Sequence, residues 1–186
     1  SLPETKPVFI HKATEVQAPI FFAEAETAYP KFIGYEENSM LFNYQAVDYH
    51  SELLGLYQLK NLATVFLAVK ILNQTSSFII KEEALASGIA QVCSLTGLRG
   101  RWELLQNNPT VIADTAHNVA GMQVVVNQLQ VQSYQTLRIV IGMVNDKDID
   151  GVLQLLPQDA QYYFTQAQIE RALSASELRE KALLYG

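Results

Sequence analysis

Asp114, His117 and Asn118 follow directly on the short apolar run 111–113, with Asn118 placed to open a helical stretch. An apolar run of that kind reads as a buried strand. In an open α/β sheet, ligands bind beyond the carboxyl ends of the strands. Asn118 suits an N-cap, because its side-chain oxygen can accept a hydrogen bond from a free backbone N–H. A helix N-terminus in turn attracts anions. Asp114 could accept hydrogen bonds from ribose hydroxyls or help hold a metal–phosphate group. His117 could meet a phosphate or a reacting carboxylate. The same two residues also suit simple bracing of a turn, and spacing alone leaves both uses open.

Other groups can be read the same way. Arg101 follows Gly100 in a glycine-bearing stretch, and its planar fork matches phosphate geometry. A solvated or paired arginine is the plainer use. Gln58 and Asn61 lie three apart on a predicted helix and so share a face. Paired amides can read an adenine edge, although surface or capping amides are commoner. Asp146, Lys147 and Asp148 follow the predicted strand 137–141, Thr165 follows 161–164, and Arg171 lies further along that loop. His11 and His50 have no partner at a telling spacing. No G-x-G-x-x-G follows a strand, and no G-x-x-x-x-G-K-S/T occurs, so the usual phosphate-binding loop is absent from this chain.

The elements that must position these groups follow from periodicity. In the first half, residues 7–18 read as a helix, 20–23 as a short strand, 29–38 as an irregular connection and 39–44 as a strand. Leu59, Leu62, Phe66, Val69 and Leu72 recur at spacings of three and four, which predicts a strong amphipathic helix. Residues 81–92 read as another helix, and 94–100 as a hinge or linker. The second half alternates: strand 111–113, helix 119–129, strand 137–141, helix 149–156, strand 161–164, helix 176–184. That order predicts a parallel sheet with crossover helices. No internal repeat or low-complexity segment is present.

Composition bounds the partners. The chain has 186 residues, 49% of them hydrophobic, and a net charge of −6 with the signs interspersed. No basic stripe marks a nucleic-acid face. Cys93 is the only cysteine, which excludes an internal disulfide and a Cys/His zinc pattern. No signal peptide or membrane-length apolar run stands out. The expectations are therefore a cytoplasmic location, no nucleic acid and no membrane partner.

Several segments together resemble one family. Gly55-Leu56-Tyr57-Gln58-Leu59-Lys60-Asn61 is similar to the G-x-H/Y-Q-x-x-N helix start of the folylpolyglutamate synthase / dihydrofolate synthase family. Gly100-Arg101 resembles its P-G-R segment at the domain hinge. Asp114-Thr115-Ala116-His117-Asn118 resembles its D-G-A-H-N, with threonine in place of the common glycine, and Val119 stands where proline is common. The strand leading to Asp146-Lys147-Asp148 resembles its D-K-D loop. Thr165 with Arg171-Ala172 resembles its T-x(n)-R-A signature. The likeness spans roughly residues 50–180.

This family is one of the Mur ligase-like ATP-dependent amide ligases. The resemblance implies an α/β fold: a Rossmann-like C-terminal domain with a parallel sheet and crossover helices, preceded by the tail of a P-loop ATPase-like central domain. The implied boundaries are 1–98 for the incomplete central domain and 99–186 for the C-terminal domain, truncated at its end. It implies that Asn61, Arg101 and Asp114 bind ATP and that His117 acts catalytically, near the reacting phosphate. ATP and magnesium are the implied cofactors, with the metal ligands upstream of this chain and none in it. Glutamate and a dihydropteroate or folate are the implied substrates, and the full enzyme would be a monomer. With its P-loop upstream, this chain alone is expected to be inactive. Two other readings stand beside this one: a non-catalytic Rossmann-like binding or interaction module, and a Mur ligase acting on a cell-wall precursor.

Overall fold

The strand 39–44 predicted from alternation is present with those bounds, and it is the middle of a meander. The computed structural model describes residues 3–186. It divides into two units, one running to Arg99 and the other spanning Gly100–Gly186.

The first unit contains α1 (Lys6–Glu15), α2 (Ala23–Glu26), β1 (Lys31–Glu36), β2 (Ser39–Tyr44), β3 (Val47–Ser51), α3 (Gln58–Thr75), α4 (Glu82–Ala90) and α5 (Val92–Thr96). The strands pair antiparallel in the order β1-β2-β3. Alternation sends Met40 and Phe42 inward from β2 and Tyr49 inward from β3. They meet Leu62 and Phe66 of α3 and Ile89 of α4 in one core. The helical stripe read from the sequence is thus the core face of α3 at Leu62 and Phe66, whereas Leu72 at the far end is exposed.

Two local readings change. Residues 20–22 form no strand: Ile20 and Phe21 stay exposed, and α2 begins at Ala23. An apolar triplet needs a ladder partner to become a strand, and among the described residues no strand pairs with it. Conversely, β1 lies within the stretch read as irregular. Pro30 and Gly34 hid it. Proline sits just before an edge strand, where no ladder donor is lost, and the register shifts between Phe32 and Gly34, so one residue bulges. The 94–100 hinge is also shorter than expected, because α5 runs to Thr96.

The second unit contains β4 (Glu103–Asn107), β5 (Thr110–Ala113), α6 (Val119–Gln130), β6 (Arg138–Ile141), α7 (Ile149–Leu153), β7 (Gln161–Phe164) and α8 (Ala175–Ala182). The fold is mixed α/β, and β6 pairs parallel with β7 around the crossover helix α7. Ile139, Ile141, Tyr162 and Phe164 face a core built from Met122 and Val126 of α6, Val152 of α7 and Leu178 of α8. The opposite face carries Val140, 71% exposed, and Tyr163, 52% exposed.

The 111–113 strand is present, but its registered partner is β4, in an antiparallel hairpin with Leu104 opposite Ile112. A three-residue apolar run does not encode the direction of its partner. Here the turn at Asn108-Pro109 folds the preceding segment back on it.

Candidate functional site

The hairpin strand β5 delivers the chain into 114–118, and α6 takes it away. Asn118 has extended backbone, and its side-chain oxygen accepts from the Gly121 N–H at 2.8 Å, which caps α6 as its residue type predicted. Asp114 is half-buried and uses both oxygens on the backbone. Oδ1 accepts from the Ala116 N–H at 2.8 Å, and Oδ2 accepts from the Trp102 N–H at 2.8 Å. A carboxylate offers about four lone-pair sites in all, so bracing the turn and accepting a ligand hydroxyl are compatible.

Asp114 thereby ties its own turn to the segment 100–102. Gly100 adopts φ +68°, and a Cβ there would lie 2.5 Å from the Thr115 methyl, so both backbone and space require glycine. Its N–H donates to Glu103 Oε2 at 2.8 Å, and its carbonyl accepts from the Thr115 N–H at 3.0 Å. Trp102 is buried and also left-handed, at φ +53°. Between them Arg101 is exposed. Its Nη1 donates to Gly100 O at 3.1 Å and to the Thr115 hydroxyl.

His117 is exposed, and its Nδ1 lies 3.0 Å from the Thr115 carbonyl. A carbonyl only accepts, so Nδ1 carries the proton. The neutral ring then presents a lone pair at Nε2, which can take a proton or, once protonated, donate to an anion.

A second group of residues gathers beyond β6 and β7. Asp148 caps α7, accepting from the Gly151 N–H at 2.9 Å. Asp146 pairs with Arg171 at 3.0 Å. Asn145 N–H donates to Arg171 O and Leu173 N–H to Met143 O, each at 2.9 Å, which staples the two loops together. Gly142 has no room for a side chain, because a Cβ would meet Thr165 O at 2.9 Å. A Cβ on Gly151 would lie 2.8 Å from Val119, so α6 and α7 start side by side. The loops after β6 and β7 thus gather Asp146, Asp148, Thr165 and Arg171, and the α6–α7 approach links this region to the start of α6, whereas β5 itself pairs with β4 and not with the parallel pair.

Residues 100–186 match the family model of the Mur ligase, glutamate ligase domain. The match spans the whole of the second unit. Relatives of the whole chain lie among the folate ligases. The chain is 30% identical to the dihydrofolate synthase/folylpolyglutamate synthase of Bacillus subtilis, over 95% of this chain and 41% of that protein. Escherichia coli FolC, solved in complex with DHPP and ADP, is 26% identical with a TM-score of 0.60, over 80% of this chain and 34% of that one. Mycobacterium tuberculosis folylpolyglutamate synthase, solved with ADP, has a TM-score of 0.81 at 23% identity, over 97% of this chain and 40% of that one, a likeness of fold. The chain thus spans about two fifths of the curated relative's length.

In the second unit the sequence-predicted Arg101, Asp114 and His117 come together through the Gly100–Thr115 contacts. Asn61 lies in the first unit, on the opening turn of α3, where its Nδ2 donates to the buried Gln58 at 2.8 Å. Glu103, Trp102 and Thr115 were not singled out from the sequence as contributors. Their parts depend on backbone groups, which carry no sequence signal. Among the described residues no group of three or more His, Cys, Asp or Glu side chains could hold a metal ion.

Proposed function

We propose that this chain is the C-terminal part of an ATP-dependent ligase that adds glutamate to a dihydropteroate or folate carboxylate. The observation that carries the reading is the convergence of Arg101, Asp114 and His117 on one turn, next to the capped start of α6, in a glutamate ligase domain. The ADP and DHPP bound in the E. coli FolC structure support the substrate class.

In the proposed reaction the acceptor carboxylate attacks the terminal phosphorus of ATP, and ADP leaves. The glutamate amine then attacks the acyl carbon of the resulting acyl phosphate. Phosphate departs and the nitrogen loses a proton to give the amide. Arg101 offsets phosphate charge with its fork, a task for positioned charge in a site where water is excluded. Asp114 accepts from a ribose hydroxyl, and Asn61 contributes to nucleotide binding. His117, through Nε2, neighbours the transferring phosphate. A divalent cation, with ligands that the family resemblance puts upstream of this chain, would supply further positive charge. With no G-x-x-x-x-G-K-S/T in its sequence, the chain alone is proposed to be inactive in ligation.

The test is calorimetric titration of the chain with ADP, alongside Arg101→Ala. Binding by the wild type that weakens about tenfold in the variant, as loss of one charge-assisted contact predicts, supports the reading. Equal affinity in the two proteins would sink the role of Arg101. Glutamate ligation by the unmodified chain would overturn its proposed inactivity.

A further inference from the structure

The geometry points to Thr115 as the residue that positions Arg101, holding its guanidinium in place before any ligand arrives. This rests on the nucleotide reading above for its purpose, but the contacts stand by themselves.

Three groups form a closed triangle. The Thr115 hydroxyl donates its only hydrogen to Gly100 O at 3.1 Å. That aims the oxygen lone pairs elsewhere, and one of them receives Arg101 Nη1. Nη1 also donates to the same Gly100 carbonyl at 3.1 Å. The donors suffice, because a hydroxyl offers one donor and two acceptor sites and Nη1 offers two hydrogens, while Gly100 O, which also takes the Thr115 N–H, shares its two lone pairs among three donors. Both hydrogens of Nη1 are therefore spent within the protein. The Nε–H and the other amino group remain for an anion.

Two features make Thr115 stiff enough for this task. It is β-branched, which restricts χ1, and its methyl fills the space over Gly100, where no Cβ would fit. Its own backbone is fixed as well, since its N–H donates to Gly100 O at 3.0 Å and its flanking residue Asp114 is held by Trp102 and Ala116. A long exposed arginine ordinarily loses rotamer freedom when it binds. Ordering it beforehand moves that cost from binding to folding.

Side-chain nitrogen relaxation at Arg101 Nε in the labelled chain tests this, with Thr115→Val and Thr115→Ser as variants and ADP as the probe. Valine keeps the methyl and the branching but has no hydroxyl; serine keeps the hydroxyl. In the wild type and in Thr115→Ser, Arg101 Nε should be nearly as ordered as the backbone. In Thr115→Val it should become as mobile as an exposed arginine, with an unchanged circular dichroism spectrum. ADP should bind Thr115→Val about five- to tenfold more weakly and Thr115→Ser within about twofold of wild type. An Arg101 already mobile in the wild type, or still ordered and equally tight in Thr115→Val, overturns the inference. If Arg101 is ordered by the hydroxyl yet ADP moves none of its resonances, the nucleotide reading fails, and the purpose assigned to Thr115 fails with it.

Discussion

Glu52 shows how much a single side chain can fasten. It follows β3, and its carboxylate accepts from the Ser94 hydroxyl and from the N–H groups of Ser94 at 3.0 Å and Cys93 at 2.7 Å. It thus ties the end of the meander to α5. The Ser94 hydroxyl holds the Glu52 carboxyl below its ordinary 4.5; desolvation opposes the shift, and the two backbone donors add to it. A lowered folded value means stability that is fully present above the unfolded pKa and lost as pH falls through the folded one. Glu52→Gln should therefore lower urea stability at neutral pH. The gap from wild type should close as pH falls below 4.5. A gap of constant size from neutral to strongly acid pH would show that the carboxylate charge is not the operative feature. At this scale the sequence was legible where a side chain acts alone, as at the Asn118 cap. It was silent where a side chain serves a distant backbone group, as at Glu52. Thr115 belongs to the second kind: it stands where the resembled family commonly has glycine, and its hydroxyl meets the Gly100 carbonyl and Arg101.

At the scale of elements, the parallel pair β6–β7 is one-sided. Val152 of the crossover helix is fully buried in the core on one face, whereas Val140 on the other face is 71% exposed. Val152→Ala should cost about 2 kcal/mol in urea unfolding, from lost burial and the cavity left behind. Val140→Thr should stay within about 0.5 kcal/mol of wild type. Similar losses at both positions would mean that the outer face is covered too. Periodicity located β2 and β7 to the residue and α6, β6 and α8 nearly so, because each writes its burial into a local pattern. It missed β1, β3 and β4. Gly34 interrupts β1 and polar residues interrupt β3 and β4, so the ladder pairing with a neighbour does much of the holding.

At the scale of the whole chain, each unit closes its own apolar core. Phe66 belongs to the cluster of the first unit and Leu178 to that of the second. Separate cores predict separate cooperative units. Calorimetry should show a van't Hoff enthalpy smaller than the calorimetric one. Phe66→Ala and Leu178→Ala should each destabilise by about 3 kcal/mol or more, each lowering a different part of the transition. A single transition displaced equally by both variants would mean that the units unfold together.

The sequence by itself determined the α/β class, the β–α alternation from β5 to α8, the Asn118 cap and the identity of the groups able to meet an anion. These follow from side-chain type and local period, which a linear string contains. The tertiary structure decided that the 111–113 strand pairs antiparallel with β4, that Asp114 braces Trp102, and that Arg101 rests on Thr115 and Gly100. Those outcomes depend on backbone N–H and C=O groups that every residue shares. Only folding chooses which of them meet.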